Sequence, residues 1–266
     1  MIKIERAHYD MWFGMYYDRE EFRHFDDDPD SVPDWSFVSS SDISDPTMNH
    51  AKEINTKDPE RVITEATERF LAIERKPSFY ITPNCSPSDL EERLSSKGFR
   101  ISSIDAWMFF ARQGSFRSVP QMGLWVVKSR DEMGIFGEIY RKAFSSGQGP
   151  YSFPPEYANA VVNSIGRQRR GVEVTHYVAH LNYTPAGILS LIRSRDIYGI
   201  YNVGTAPEFQ RRGIGTALTL TAIKKASDSG AQTIFLQTEA ASKNEIFYKK
   251  LGFETKFYGT FMVKEE

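Results

Sequence analysis

The seven residues Gln210-Arg211-Arg212-Gly213-Ile214-Gly215-Thr216 carry the clearest chemical signal in the chain. An apolar, β-branched run from Ile197 to Thr205 precedes them, and a helical pattern with Leu218, Ala222 and Ile223 on one face follows. The order strand, basic glycine-containing turn, helix aims several backbone N–H groups at one point, at the positive end of a helix dipole. Glycines let a ligand approach the main chain closely. Such a turn suits a phosphate or pyrophosphate. Two common nucleotide-binding patterns do not fit. G-x-G-x-x-G would need its third glycine at Leu218, and a P-loop would need Gly-Lys-Ser/Thr, which the chain lacks.

What remains is Q/R-x-x-G-x-G. The stretch Thr205-Ala-Pro-Glu-Phe-Gln-Arg-Arg-Gly-Ile-Gly-Thr-Ala-Leu218 resembles the acyl-CoA-binding motif of the GNAT superfamily of N-acetyltransferases. Farther on, Phe247-Tyr248-Lys249-Lys250-Leu251-Gly252-Phe253 resembles the closing Tyr-x-x-x-Gly-Phe of that family, after a strand-like run from Thr233 to Thr238. The spacing between the two motifs leaves room for one helix, one strand and one more helix. The resemblance covers roughly Gly123 to Val263. It implies that coenzyme A binds through its pyrophosphate, with Thr205, Gln210, Arg211, Arg212, Gly213, Ile214, Gly215 and Thr216 as the residues around it. One or both arginines would pair with phosphate, since guanidinium matches it in a bidentate way. Gln210 would shape the turn.

The resemblance also implies direct attack of a neutral amine on the thioester carbonyl of acetyl-CoA. That reaction needs a polarised carbonyl, a route for the amine proton and an acid for the leaving thiolate. Val203, in Asn202-Val203-Gly204-Thr205 of the motif strand, matches the backbone donor to the carbonyl; the plainer reading is a core valine. Tyr248 matches the family's acid. A phenol of ordinary pKa ~10 is protonated at neutral pH, and the alternative is a tyrosine packed against a strand. Many relatives carry a carboxylate in the motif strand, but residues 197–205 contain none. Glu239, Tyr198, Tyr201 or a water chain are the open alternatives for the base. The family often places Asn where Ala241 stands here; Asn244, one turn later, either replaces it on the cofactor arm or is a helix-surface residue.

Composition bounds the remaining choices. The chain has 266 residues with 40% hydrophobic and 26% charged, ordinary for one or two globular domains. No apolar run approaches the ~18 residues of a membrane span. Lys3, Glu5, Arg6 and Asp10 do not read as a secretory signal. Cys85 stands alone, so no disulfide framework is expected and a cytoplasmic location is. Its expected role is a small, partly buried apolar residue. Net charge is −2. Residues 1–117 hold 15 Lys and Arg against 22 Asp and Glu, and residues 118–266 hold 18 against 13. The basic second half suits an anionic cosubstrate. The acidic first half either docks on it or steers a cationic amine. The basic residues are scattered, so no nucleic-acid stripe is expected. Asp26, Asp27, Asp28 and Asp30 read as a solvated turn. His176 and His180, four apart on a strand, would lie ~13 Å apart and cannot share a metal; no metal is expected.

Periodicity places a helix over 1–25, strands at Trp35–Val38, Ser78–Thr82 and Ile104–Phe110, and helices at Glu60–Ile73 and Ser86–Lys97. In the second half it places strands at Leu124–Lys128, Val172–Leu181, Gly187–Arg193 and Phe257–Val263, with helices at Arg130–Phe144 and Glu156–Gln168. Both halves end strand, helix, Gly-Phe, strand, which reads as an internal repeat. The expectation is therefore α/β: tandem GNAT-like domains with mixed, twisted sheets flanked by helices. Residues 1–117 would be a half that has lost cofactor binding, and 118–266 the acyl-CoA-binding half, joined by a linker at Gly114–Gly123. An amine acceptor would sit between them, walled by Tyr151 and Phe153 of the Gly/Pro-rich stretch 145–155. The alternatives are a non-catalytic acyl-CoA-binding regulatory module and generic nucleotide binding through the turn. Oligomeric state is not readable from the sequence.

Overall fold

Local signals fix most of the elements. Asp58 caps a helix that opens with Pro59, its carboxylate accepting the Arg61 amide at 3.1 Å, and the helix buries Val62, Ile63, Ala66 and Phe70. Near the C-terminus, Ser242 Oγ caps a helix by accepting the Glu245 amide (3.1 Å), and Glu245 Oε2 accepts the amide of Ala241 (2.7 Å), the residue before the cap. The computed structural model describes residues 2–24, 33–111, 122–144, 153–164, 167 and 169–265. The Asp26–Asp30 cluster, Tyr151 and most of the expected linker lie outside the described residues.

In chain order the elements are α1 (Ile2–Phe13), β1 (Arg19–His24), β2 (Pro33–Ser39), β3 (His50–Lys52), α2 (Pro59–Ala72), β4 (Ser78–Ile81), α3 (Leu90–Ser96) and β5 (Phe99–Phe110). The second half adds β6 (Gly123–Val126), α4 (Arg130–Phe144), α5 (Pro155–Asn163), β7 (Val172–Leu181), β8 (Thr184–Ser194), β9 (Ile197–Thr205), α6 (Ile214–Asp228), β10 (Thr233–Glu239), α7 (Lys243–Lys250) and β11 (Phe253–Lys264). The fold class is the expected mixed α/β, a twisted sheet flanked by helices.

Several expected bounds change. The helix over 1–25 ends at Phe13, because Gly14 follows and the chain turns, with the Met15 and Tyr16 amides both bonded to Trp12 O at 2.9 Å. Residues 19–24 are instead a charged edge strand, a composition that discourages pairing with other chains. The strand β3 was not expected. The helix expected to reach Gln168 stops at Asn163, where Ser164 Oγ bonds back to Val161 O at 2.6 Å. The helix expected from Ser86 begins at Leu90, and strands β5 and β11 both start earlier, directly at the Gly-Phe pairs.

All eleven strands form one sheet in the order β1-β2-β3-β4-β11-β5-β10-β9-β8-β7-β6. The two repeated ends are interlocked. β5 lies between β10 and β11, and β11 lies between β4 and β5. Each half's last strand thus completes the end of the other half. Gly98 and Gly252, at matching places in the repeat, turn the chain with φ of 86° and 99°. Helices α1, α4 and α5 cover one face, while α6, α7, α2 and α3 cover the other. α1 lies across to the second half, where the His8 ring meets the Tyr201 hydroxyl at 3.0 Å. Arg167 pairs with Asp42, and Arg169 with Asp10 and Glu20, each at 2.8 Å, so acidic groups of the first half dock on basic groups of the second.

Two outcomes follow from this interlock. The whole chain should unfold in one cooperative denaturant transition, monitored by fluorescence and circular dichroism together. Residues 122–266 alone, lacking β5, should give no such transition. Burial also holds His8 and His50 neutral, each with a pKa pushed down to about 3. Below pH ~6.5 the unfolded chain protonates them and the fold does not, so each subtracts up to about 1.4 kcal/mol per pH unit as pH falls toward 4. His50→Gln should flatten the acid limb of stability against pH by that amount, measured by urea unfolding at pH 7, 6 and 5.

Candidate active site

The turn before α6 is built to expose amides. Arg211 has φ 62°, and Gly213 has φ 80° and stands at the N-cap with no side-chain cap. The first intrahelical bond there is Ala217 N–H to Gly213 O at 2.9 Å, so the amides of the preceding residues have no partner within the helix. Gln210 Nε2 reaches Thr205 O at 3.4 Å and ties the turn to the end of β9. A Cβ at Gly187 on β8 would overlap Ile214, so that glycine lets the helix start lie close against the sheet. The turn forms one end of a cavity of about 890 Å³, whose other walls come from the end of β10, the start of α7 and the end of α4.

The cavity continues between two strands. β9 and β10 pair in parallel only from Ile197–Gly199 to Thr233–Phe235. Beyond that β9 stays with β8, β10 stays with β5, and the two diverge. The β8–β9 register passes from Gly204 opposite Ile188 to Tyr201 opposite Ser190. Asn202 and Val203 therefore bulge out of the ladder against a single β8 residue. Asn202 takes φ 53°, a value asparagine tolerates better than most residues. Its side chain is pinned from both sides: Oδ1 accepts from the Tyr16 hydroxyl and Nδ2 donates to Ser190 Oγ, each at 3.0 Å. Ser190 Oγ also meets His176 Nδ1 at 2.8 Å, and burial pushes that imidazole down to about 4, so it is neutral at pH 7. Ser190 Oγ accepts from Asn202 and shares a second hydrogen bond with the neutral His176 ring. This chain of contacts holds the bulge, and hence the Val203 amide, in place.

A second cavity of about 230 Å³ opens from the same place on the α1, α4 and α5 face. Trp12, Tyr16, Tyr140, Phe153 and Tyr157 give it aromatic walls, and Asp105 of β5 is also part of its lining. Phe144, Val203, Glu239, Asn244 and Tyr248 border both cavities.

Of the residues singled out in the sequence, the structure gathers Val203, Thr205, Gln210, Arg211, Gly213, Ile214, Gly215, Thr216, Asn244 and Tyr248 around the larger cavity. Arg212 is not among its walls; its guanidinium lies 5.8 Å from the Phe209 ring. Among the alternatives for a base, Glu239 faces both cavities. Tyr201 borders the smaller one, with its hydroxyl engaged by His8 and by Met11 Sδ at 3.5 Å. Tyr198 packs on the opposite face of the sheet, 5.7 Å below Arg193, and borders neither cavity. Phe153 stacks on Tyr157 at 4.9 Å as a wall of the smaller cavity. Sequence reasoning did not single out Asp105, Trp12, Tyr16 or Asn202. The available signals were an acid inside the apolar run Ile104–Phe110 and a polar side chain in the middle of the motif strand. Among the described residues, no group of three or more His, Cys, Asp or Glu could hold a metal ion.

Comparison with known proteins agrees with this fold. Residues 173–255 match the family described as "Acetyltransferase (GNAT) domain". An uncharacterized N-acetyltransferase of Methanocaldococcus jannaschii is 28% identical over 205 residues, covering 73% of this chain and 84% of the relative. A GCN5-related N-acetyltransferase from Kribbella flavida shares the fold with a TM-score of 0.68 and 16% identity, over 99% of this chain and 95% of that one. A tandem GNAT protein from the clavulanic acid biosynthesis pathway shares it with a TM-score of 0.60 and 14% identity, over 87% and 78% of the two chains. Residues 173–255 thus form a GNAT acetyltransferase domain by their sequence match, and the chain as a whole has the fold of GNAT proteins.

Proposed function

We propose that the protein moves the acetyl group of acetyl-CoA to a primary amine by direct attack. The supporting observation is that two cavities of different character meet at Val203 and Tyr248. The larger one ends in the exposed amides of the Gln210–Thr216 turn, where the pyrophosphate of coenzyme A would bind with Arg211 beside it. Its pantetheine arm would run through the gap between β9 and β10, along strand edges that have no ladder partner among the described residues. Asn244 lies where that arm would pass. The thioester carbonyl would then accept a hydrogen bond from the bulged Val203 amide, which is fixed in advance and needs no reorganisation as charge develops. Tyr248, buried at the junction, would donate its proton to the departing thiolate. On this reading residues 118–266 carry the acyl-CoA site, and residues 1–117 are a GNAT-like half without a cofactor turn of its own.

The lack of a carboxylate in residues 197–205 favours a second reading, an acyl-CoA-binding module without turnover. Release of free thiol from acetyl-CoA in the presence of a panel of primary amines separates the two; no release with any amine supports the second. With an active amine, Tyr248→Phe should lower kcat by about 10²-fold or more and leave KM for acetyl-CoA nearly unchanged. Equal kcat in the variant would remove Tyr248 from the mechanism. Gly213→Ala places a side chain at φ 80°, where nothing crowds it but the backbone is strained by about 1–2 kcal/mol. It should weaken coenzyme A binding several-fold in a calorimetric titration, and unchanged affinity would argue against the turn as the pyrophosphate site.

A further inference from the structure

We infer that Asp105, brought into the second half on the exchanged strand β5, is the group that receives the acceptor amine, and that the acceptor is a small cationic amine with an apolar body. This inference rests on the acetyltransferase reading and names the recognition chemistry of the same site.

The geometry is specific. On β5, Asp105, Trp107 and Phe109 alternate onto the face covered by α1, α4 and α5, because side chains two apart on a strand share a side. Asp105 stands directly opposite Glu239 of β10, and Trp107 opposite Gln237. Two carboxylates facing each other across a pair of strands repel and destabilise a sheet. Here Asp105 lines the smaller cavity and Glu239 borders both, and a cation between the two carboxylates would relieve the repulsion. The walls fit the same ligand. Trp12, Tyr16, Tyr140, Phe153 and Tyr157 offer ring faces and edges to an apolar body, and ring faces attract an ammonium group. The cavity, at about 230 Å³, has room for about eight water-sized groups at ~30 Å³ each, which limits the body to a small one.

Asp105 is held as a working group would be. Tyr80 of β4 donates its hydroxyl to Asp105 Oδ2 at 3.4 Å, and itself accepts from Trp107 Nε1 at 2.7 Å and Gln237 Nε2 at 3.3 Å. Gly259 of β11 makes room for Tyr80, since a Cβ there would overlap its hydroxyl. Four strands from both halves thus converge on one carboxylate. Burial raises its pKa to about 7, with the Glu239 charge adding to the rise and the Tyr80 hydrogen bond opposing it. Tyr17, just after α1, lies within reach of the Asp105 charge, and the tyrosines Tyr16, Tyr140, Tyr157, Tyr201 and Tyr248 line the same cavity. A carboxylate so poised can take a proton from an ammonium group and release it again near neutral pH.

The proton and bond changes balance. Asp105 takes one proton from R–NH3⁺, and the nitrogen lone pair of R–NH2 attacks the acetyl carbonyl carbon. The C–N bond forms, the carbonyl π electrons move to oxygen beside the Val203 amide, and their return breaks the C–S bond. The thiolate takes the Tyr248 proton, and the remaining extra proton on nitrogen restores Tyr248. The products are the acetamide and free coenzyme A, and the proton on Asp105 passes to solvent.

Calorimetric titrations of the full chain with butylamine, phenethylamine, 1-butanol and 2-phenylethanol, each with and without saturating coenzyme A, test this. At least one amine should bind more tightly than its neutral counterpart. Its affinity should rise between pH 6 and 8 as Asp105 ionises while the amine stays cationic. Asp105→Asn should weaken amine binding at least tenfold and abolish that pH dependence, with the alcohols unaffected. The variant should keep wild-type affinity for coenzyme A and a melting temperature no lower than wild type, since it removes a repulsion. Asp105→Glu should restore part of the amine affinity. Failure of both amines to bind, equal binding of amine and alcohol, or equal amine affinity in Asp105→Asn would overturn the inference. Amine binding without any coenzyme A binding would instead sink the acetyltransferase reading and leave the amine site standing.

Discussion

Beyond Gly199 and Phe235, β9 and β10 stop exchanging hydrogen bonds although both remain in the middle of one sheet. Edges of that kind are costly when buried and unpaired, because backbone N–H and C=O groups need partners. The fold keeps them apart by committing β10 to β5 and β9 to β8, and by bulging Asn202 and Val203 out of the ladder. The gap therefore becomes a place for an extended, amide-bearing ligand. Everything around it serves to hold it open: the pinned Asn202 side chain, the glycine turn at its mouth and the capped start of α7 at its rim.

The first half of the chain is part of that arrangement. Without β5, β10 would lose its partner from Phe235 to Glu239, and β11 would lose a neighbour over its whole length. α1 adds Trp12 and the turn after it adds Tyr16 to the smaller cavity, and Tyr16 also fixes the bulge through Asn202. The first half, which has no Gly-x-Gly turn, still supplies a strand, a helix and a carboxylate to the walls of the two cavities. Keeping the two halves in one sheet gives those contributions fixed positions, which a flexible joint between separate domains would not.

Local signals made much of this legible in the sequence. The Gln210–Thr216 turn, the strands on either side and the Tyr248–Phe253 ending sit where their spacing places them, because capping, glycine conformation and apolar periodicity are all short-range. The repeat of strand, helix, Gly-Phe and strand was also readable. The exchange of β5 and β11 was not, since strand partners are chosen by distant residues and leave little trace in either strand alone. Asp105 was missed for that reason: as one acid among the apolar residues of the first half, it gains meaning only beside Glu239. The segment after Gly14 was misread because aromatic residues crowd both α1 and the turn behind it, extending a helical pattern past the point where the backbone leaves it.

The proposed site for coenzyme A is the gap between β9 and β10 together with the turn at its mouth. The most direct measurement is a thermal-shift titration of the full chain with coenzyme A, acetyl-CoA and ATP under identical conditions. Ligand at about 100 times its dissociation constant stabilises a fold by about 2.7 kcal/mol, a rise of a few degrees for a chain of this size. The expected result is such a rise with both CoA species and little with ATP. Equal shifts with ATP, or none with millimolar coenzyme A, would contradict the claim and reduce the turn to a structural feature.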